Sequence, residues 1–129
     1  MSTKRSSHRH KHADRLTPER FREAVWILDG GKDRATGQVL ERVSDDWDRR
    51  GEVAHLKPRR VEPSWATDPK RAILLSMKNH MLSDARGNGR LKILDAETGE
   101  PATDASRPIR FTLYDKHGGI LWTRVSERE

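Results

Sequence analysis

The chain has 129 residues, of which 36% are charged and 33% are hydrophobic, so any core that it buries must be small. It contains no cysteine, which excludes disulfide bonds and zinc sites built from thiolates. Its net charge of +6 at pH 7 favours a polyanionic partner, most commonly nucleic acid, with a solvated surface rich in arginine as the alternative.

The sequence offers no segment that would enter a membrane. No hydrophobic run approaches the roughly 20 residues needed to span a bilayer, and the N-terminal region lacks the apolar core of a signal peptide. We therefore expect a soluble, cytoplasmic protein with no membrane partner.

Residues 1–15 hold no large apolar side chain after Met1, so burial cannot repay the entropy of ordering them. They predict a disordered basic tail that precedes a single domain over residues 16–129. His8, His10 and His12 alternate and could chelate a metal, but the cations around them favour non-specific contacts with phosphates.

A helix is predicted from Thr17, because a hydroxyl N-cap is followed by proline at the first helical position. Four apolar residues then follow the i, i+3, i+4, i+7 spacing of one helix face: Phe21, Ala24, Val25 and Leu28. The pair Gly30-Gly31 ends the helix. This element is expected to pack on the core.

Two later segments each carry one histidine. The turn Asp33–Gly37 leads into a short predicted strand over residues 38–43, and a polar link then reaches a second predicted strand with His55. An irregular loop over residues 57–67 precedes a predicted helix from about Pro69 to Leu82, which carries His80.

Three strands are predicted in the C-terminal third, over residues 91–94, 109–114 and 120–125. The turn Asp115–Gly119 joins the last two as a β-hairpin. The mixture of helices and hairpin-connected strands predicts the α+β class.

These segments resemble the HNH endonuclease family, whose ββα-metal unit follows an N-terminal helix. The resemblance covers about residues 17–95 and rests on the D-x-x-T-G turn, the E-V-A-H-L-K-P-R strand and the later R-A-I-L-L-S-M-K-N-H segment. Many family members carry two C-x-x-C pairs that bind zinc. Here Asp33 and Thr36 stand at the first pair and Ser76 and Asn79 at the second, so the zinc knuckle is absent, as in other cysteine-free members.

The resemblance implies a ββα-metal core that follows an N-terminal helix, and a role for each matching residue. The predicted C-terminal β-hairpin lies beyond the residues that the resemblance covers and completes the expected fold. His55 matches the histidine that acts as general base, and His80 matches the final metal-binding histidine. Arg71 stands where the family has an asparagine that holds the loop of the base. Ala54 stands at the position of a second metal ligand, and a methyl group cannot coordinate a cation.

Two explanations of Ala54 stay open. One is a natural loss, which would give a weak or inactive nuclease-like binding protein. The other is a deliberate substitution, and the survival of His55, His80 and the basic loop favours it. Glu52 is a third option as a replacement ligand, but it lies two residues, or about 6.6 Å, further along the strand.

The implied activity is hydrolysis of DNA phosphodiesters with one divalent cation, most naturally Mg²⁺ or Mn²⁺, with zinc or nickel as alternatives. His55 would take a proton from the attacking water, while the cation would stabilise the leaving oxygen. Lys57, Arg59 and Arg60 are expected to hold the flanking phosphates of double-stranded DNA. A non-catalytic DNA-binding module is the alternative function, and a homodimer stays open.

Each histidine also has a purely structural interpretation. His55 on an apolar strand would be a hydrogen-bonded core residue, and His80 would stabilise the end of its helix through the helix dipole. The occurrence of both histidines, with a basic loop between them, favours the catalytic interpretation.

Overall fold

The computed structural model describes residues 16–56, 63–83 and 89–128 of the chain. It confirms the α+β class, with two small antiparallel sheets and two short helices among these residues. The predicted tail over residues 1–15 lies outside the described part. The elements are helix α1 (Pro18–Leu28), strand β1 (Gly51–His55), strand β2 (Ala72–Ser76), helix α2 (Met77–Leu82) and strands β3 (Leu91–Asp95), β4 (Ile109–Tyr114) and β5 (Ile120–Ser126).

Helix α1 has the predicted start and end. The Thr17 hydroxyl accepts a hydrogen bond from the backbone amide of Arg20, and Pro18 occupies the first helical position. Gly30 and Gly31 both have positive φ, which terminates the helix after its C-cap. Of the predicted core face, Phe21 and Val25 are buried, whereas Leu28 is exposed.

The predicted helix from Pro69 to Leu82 is wrong over its first half. Residues Pro69–Arg71 form one 3-10 turn, Ala72–Ser76 form β2, and only Met77–Leu82 are helical. All five residues of β2 are buried, so its short apolar run packs on both faces and lacks the polar positions that separate a strand from a helix segment.

Strands β1 and β2 pair antiparallel, with His55 opposite Ala72 and Gly51 opposite Ser76. Helix α2 follows β2 without a break, and the Ser76 hydroxyl caps it by accepting from the amide of Asn79. The chain order is therefore β1, β2, α2, which places one histidine on the first strand and the other on the helix.

The second edge of β2 pairs with a turn and with side chains. The amide of Leu74 donates to Asp29 and its carbonyl accepts from the amide of Arg34, at 2.8 Å each. The amide of Ser76 donates to Asp33 at 2.9 Å, and the carbonyl of Ala72 accepts from Arg128 at 2.6 Å. These bonds satisfy backbone groups that a buried strand could not leave unpaired.

The predicted strand over residues 38–43 is not formed. The described residues there make only isolated bridges, Lys32 with Val39 and Glu41 with Arg50. Leu40 is buried, but Val39 and Val43 are exposed, so this segment has one buried position and no alternating buried face that would have stabilised a strand.

The three C-terminal strands are confirmed and form one antiparallel sheet in the order β3, β4, β5. The hairpin turn over Asp115–Gly119 is also confirmed, with the carbonyl of Gly119 accepting from the amide of Asp115. The sheet therefore has three strands, one more than the hairpin alone.

The two sheets share one core. Ala54, Ile73 and Leu75 from the first sheet pack with Ile109 and Phe111 from the second. A smaller cluster lies between α1 and the first sheet and includes Phe21, Val25, Leu40, Ala72 and Leu74. Neither described helix has the length and apolar character that crossing a bilayer requires.

Candidate functional site

His80 on α2 is bound to Glu52 on β1. The Nδ1 atom of His80 lies 2.8 Å from Oε1 of Glu52, and both side chains are partly buried. A carboxylate can only accept, so Nδ1 of His80 carries a proton. In the neutral ring Nε2 then keeps its lone pair, which is the state in which an imidazole binds a metal ion.

His55 at the end of β1 is also fixed through one ring nitrogen. Its Nε2 lies 2.9 Å from the carbonyl oxygen of Ala66, and its ring stacks on Phe21 with centroids 5.3 Å apart. Because the carbonyl can only accept, Nε2 donates, and the neutral ring holds its lone pair on Nδ1. An oriented imidazole with one free lone pair is suited to accept a proton.

His55 and Glu52, the partner of His80, lie on opposite faces of β1. Glu52, which binds His80, and His55 are three residues apart, so their side chains leave the strand on opposite faces. Their Cα atoms are separated by about 10 Å along the strand. The structure therefore brings Glu52 and His80 together, but it does not bring His55 into the same pair.

A cleft of about 550 Å³ lies beside the Glu52–His80 pair, between α1 and the start of β1. Among the described residues, His55 is not part of its lining. The lining comprises Glu19, Arg22, Glu23, Trp26, Arg42, Arg50, Gly51, Glu52, Val53, Leu74 and His80.

One wall of the cleft is an ion pair stacked on an aromatic ring. The guanidinium of Arg42 lies 4.5 Å from the centre of the Trp26 ring and binds both carboxylate oxygens of Glu23. This bonding by Arg42 lowers the pKa of Glu23 and raises that of Arg42 from their ordinary values. Gly51 lies against the same ring, where a Cβ atom would come within 2.6 Å of Trp26.

Charge in the cleft is mixed. Arg42 and Glu23 compensate one another, and Glu52 is bound to His80. Arg22 and Arg50 are exposed on the lining, and Glu19 is the remaining carboxylate there. The lining therefore holds three arginines and three glutamates, whose formal charges cancel while the His80 ring is neutral. Arg22 and Arg50 are the guanidinium groups there that match the oxygens of a phosphate.

Ala54 lies in the shared core, with 3% of its surface exposed. It pairs with Ile73 across the first sheet and belongs to the cluster that contains Phe111. A carboxylate or imidazole introduced at this position would lie in a buried, apolar environment.

The side-chain contacts of Arg71 in the described part of the chain are with Thr103, Trp65 and Asp68. Its Nη1 donates to the carbonyl of Thr103 at 2.7 Å, and its guanidinium lies 4.1 Å from the centre of the Trp65 ring. Its backbone carbonyl accepts from the amide of Leu56 at 2.9 Å, immediately after His55. Arg71 thus meets the surroundings of His55 in two ways, through its carbonyl to Leu56 and through its side chain to Trp65, which precedes the Ala66 that binds His55.

The predicted phosphate-binding residues Lys57, Arg59 and Arg60 lie outside the described residues. Within the described ranges, no three side chains of His, Asp or Glu converge as a ligand group for a metal ion. With Glu52 bonded to Nδ1, the Glu52–His80 pair offers Nε2 of His80 as its donor to a cation.

All four residues at the cysteine positions of the family described above lie together, joined through Asp33. Asp33 is buried, and its Oδ2 accepts from the side-chain amide of Asn79 at 2.8 Å and from the amide of Ser76 at 2.9 Å. Its Oδ1 accepts from the amides of Ala35 and Thr36. Hydrogen bonds from one carboxylate thus link the turn to the start of α2.

Sequence reasoning missed the buried group formed by Asp29, Arg34 and Arg128. Arg34 donates to the carbonyl of Ala105 at 2.9 Å and to the hydroxyl of Ser126 at 2.8 Å. Burial lowers the pKa of Arg34 from its ordinary value, and Asp29 opposes this shift. The sequence shows an Asp at the predicted helix end and an Arg in a tight turn. Their partners lie far away in the sequence, so no local pattern predicts that these side chains meet.

Comparisons with protein-family models, with curated proteins and with solved structures find no match to this chain.

Proposed function

We propose that this protein is an HNH-type endonuclease that hydrolyses double-stranded DNA with a divalent cation. The observation that carries the proposal is the Glu52–His80 pair, which joins β1 to α2 beside a cleft that holds two exposed arginines. A carboxylate that fixes a histidine tautomer is the usual support of a metal-binding imidazole.

The pair offers one nitrogen donor to a cation, supported by a carboxylate behind it. His80 would bind through Nε2, with Glu52 orienting its ring through Nδ1. Mn²⁺, Zn²⁺ and Ni²⁺ accept imidazole more readily than Mg²⁺, which prefers oxygen ligands. When bound, the cation would stabilise negative charge on the phosphate and on the leaving oxygen.

Arg22 and Arg50 are proposed to hold the phosphates that flank the scissile bond. Both are exposed on the cleft lining, and a guanidinium matches two phosphate oxygens at once. Such contacts fix the register of the duplex without reading its sequence.

The general-base role of His55 stays a prediction. Its fixed tautomer, with a lone pair on Nδ1, favours the role. Its position on the opposite face of β1 from Glu52 favours a structural role instead, in which the ring packs on Phe21. The nicking activity of His55→Ala distinguishes these two roles.

The alternative is a non-catalytic module that binds DNA through the same cleft. Ala54 favours it, because a buried methyl group supplies no ligand and a single imidazole donor holds a cation weakly. This alternative predicts salt-dependent binding to DNA without cleavage.

Plasmid nicking tests both functions. The unmodified chain, His80→Ala, Glu52→Gln and His55→Ala are incubated with supercoiled DNA and Mg²⁺, Mn²⁺, Zn²⁺ or no metal. We expect metal-dependent nicking that falls by about 100-fold or more in His80→Ala, since a lost ligand removes transition-state stabilisation. His117→Ala is the matched control, because His117 is exposed in the β4–β5 turn.

Binding is measured in parallel by gel shift at low and high salt. DNA binding without nicking under any metal would establish the binding module. Nicking by His80→Ala at the unmodified rate would overturn the cleft as the catalytic site, and unchanged nicking by His55→Ala would remove His55 as the base.

A further inference from the structure

The carboxylate of Asp29 is fully buried at the end of α1 and joins four parts of the chain. Its Oδ2 accepts from the amide of Leu74 at 2.8 Å. Its Oδ1 accepts from Nε of Arg128 at 2.7 Å and from Nη1 of Arg34 at 3.4 Å. One carboxylate thus meets two guanidinium groups, so the three side chains together carry one net positive charge, and backbone carbonyls accept from other N–H groups of both arginines.

Arg128 extends this pairing to the segment before β2. Its side chain is 6% exposed. Nη1 donates to the carbonyl of Pro69 at 2.8 Å, and Nη2 donates to the carbonyl of Ala72 at 2.6 Å. A planar guanidinium that binds a carboxylate and two carbonyls fixes their relative positions, as a flexible ammonium could not.

The segment that Arg128 holds is the one that surrounds His55. Ala72 is the cross-strand partner of His55, and the carbonyl of Arg71 accepts from the amide of Leu56. The carbonyl of Ala66, three residues before Pro69, accepts from the His55 imidazole. Displacing Pro69 and Ala72 would therefore displace the acceptor that orients the ring.

We propose that Arg128 is a positioning residue that holds residues 66–72 in place, so that the Ala66 carbonyl fixes the His55 ring. The inference rests on the proposed function for its catalytic meaning, since a general base must present its lone pair in one direction. In this proposal the C-terminal sheet contributes to the site, because Arg128 lies in the residues that follow β5.

The test observes the Nε2 proton of His55 by ¹H–¹⁵N NMR, on the full chain without DNA or metal. A proton held by the Ala66 carbonyl exchanges slowly with water, and His55→Gln assigns its signal. We expect exchange to accelerate by about tenfold or more in Arg128→Gln, because the acceptor loses its fixed position. Arg128→Lys should give an intermediate rate, since one ammonium cannot reproduce the fork of contacts.

Arg107→Gln is the matched control. The Arg107 side chain pairs with Asp95 at 2.6 Å on the C-terminal sheet, and its bonds to described residues go to Asp95 and Glu97, outside residues 66–72. Its backbone carbonyl, which accepts from Arg34, is kept in the variant. Its loss should leave the exchange of the His55 proton unchanged, and amide spectra verify that each variant is folded.

Unchanged exchange in a folded Arg128→Gln variant would show that Arg128 serves stability alone and would overturn the proposal. If Arg128→Gln does not fold, Arg128→Lys takes its place, and exchange at the unmodified rate in that variant would overturn the proposal as well. Nicking by each variant is measured separately. A chain that never cuts DNA refutes the proposed function, while an accelerated exchange would still establish the positioning.

Discussion

At the scale of single residues, the two histidines of the candidate site are fixed by different acceptors. His80 meets a carboxylate, whereas His55 meets a neutral carbonyl. A bond to an ionised acceptor is about twice as strong as one between neutral groups. The orientation of His80 is therefore an intrinsic feature of its pair with Glu52, while that of His55 depends on where the backbone places Ala66.

Single residues also set the acid response of the C-terminal sheet. Arg107 donates to Asp95, and this bond, together with the amides of Thr98 and Glu97, lowers the pKa of Asp95 to about 2. The folded chain thus holds this carboxylate ionised more strongly than the unfolded chain. The resulting stability is complete above the ordinary value of 3.8 and is lost as the pH falls through about 2.

Arg107→Gln should raise the pKa of Asp95 towards its ordinary value. The free energy of unfolding should fall above pH 4, and the difference from the unmodified chain should shrink towards pH 2. NMR titration of Asp95 and urea unfolding at several pH values measure both effects. Arg49→Gln is the control, because its 3.8 Å pair with Asp46 is exposed, and an equal loss there would contradict the assignment.

At the scale of elements, local signals predicted α1 and failed at β2. The cap at Thr17 and the glycines at 30 and 31 act through contacts within a few residues, so the sequence displays them. The run Ala72–Ser76 is apolar at nearly every position and fits either a helix or a strand. What makes it a strand is pairing with β1 on one edge and with Asp29, Asp33 and Arg128 on the other.

The stability of the domain should depend on the bonds that Asp33 makes at the edge of β2. Asp33→Ala removes the acceptor of the Ser76 backbone amide and of the Asn79 side-chain amide near α2. It also removes the acceptor of two backbone amides in its own turn. We expect the free energy of unfolding to fall by about 3 kcal/mol, because buried donors lose their partner. Urea unfolding at pH 7 measures the change.

Asp46→Ala is the matched control for Asp33→Ala. Asp46 also accepts from a backbone amide two residues on, but it is exposed. Its loss should cost less than about 1 kcal/mol. Equal losses from the two variants would show that the buried network at β2 does not carry the expected stability.

At the scale of the whole molecule, the two sheets share a core and must form together. Ala54 lies where they meet, in one cluster with Ile73 and Phe111. The resemblance to a nuclease family assigned this position to a metal ligand, but its burial follows from packing between segments that lie far apart in the sequence. No pattern within β1 alone could have indicated that.

Ala54→Asp should destabilise the whole domain. Placing a carboxylate in this core should lower the free energy of unfolding by about 3 kcal/mol, because no described group there offers it a partner. Val43→Asp, at an exposed site, should change it by less than about 0.5 kcal/mol. Thermal unfolding compares them, and an unchanged midpoint with newly gained metal affinity would show that position 54 opens to solvent.

The contact between Arg128 and Asp29 spans 99 residues, and this distance has a consequence during protein synthesis. When α2 has left the ribosome, β2 still lacks the partner of its Ala72 carbonyl, and the apolar faces of Ile73 and Leu75 still lack the second sheet. A nascent or truncated chain that stops near residue 83 would expose the hydrophobic face of β2, and exposed apolar surface of this kind makes incomplete chains prone to aggregate.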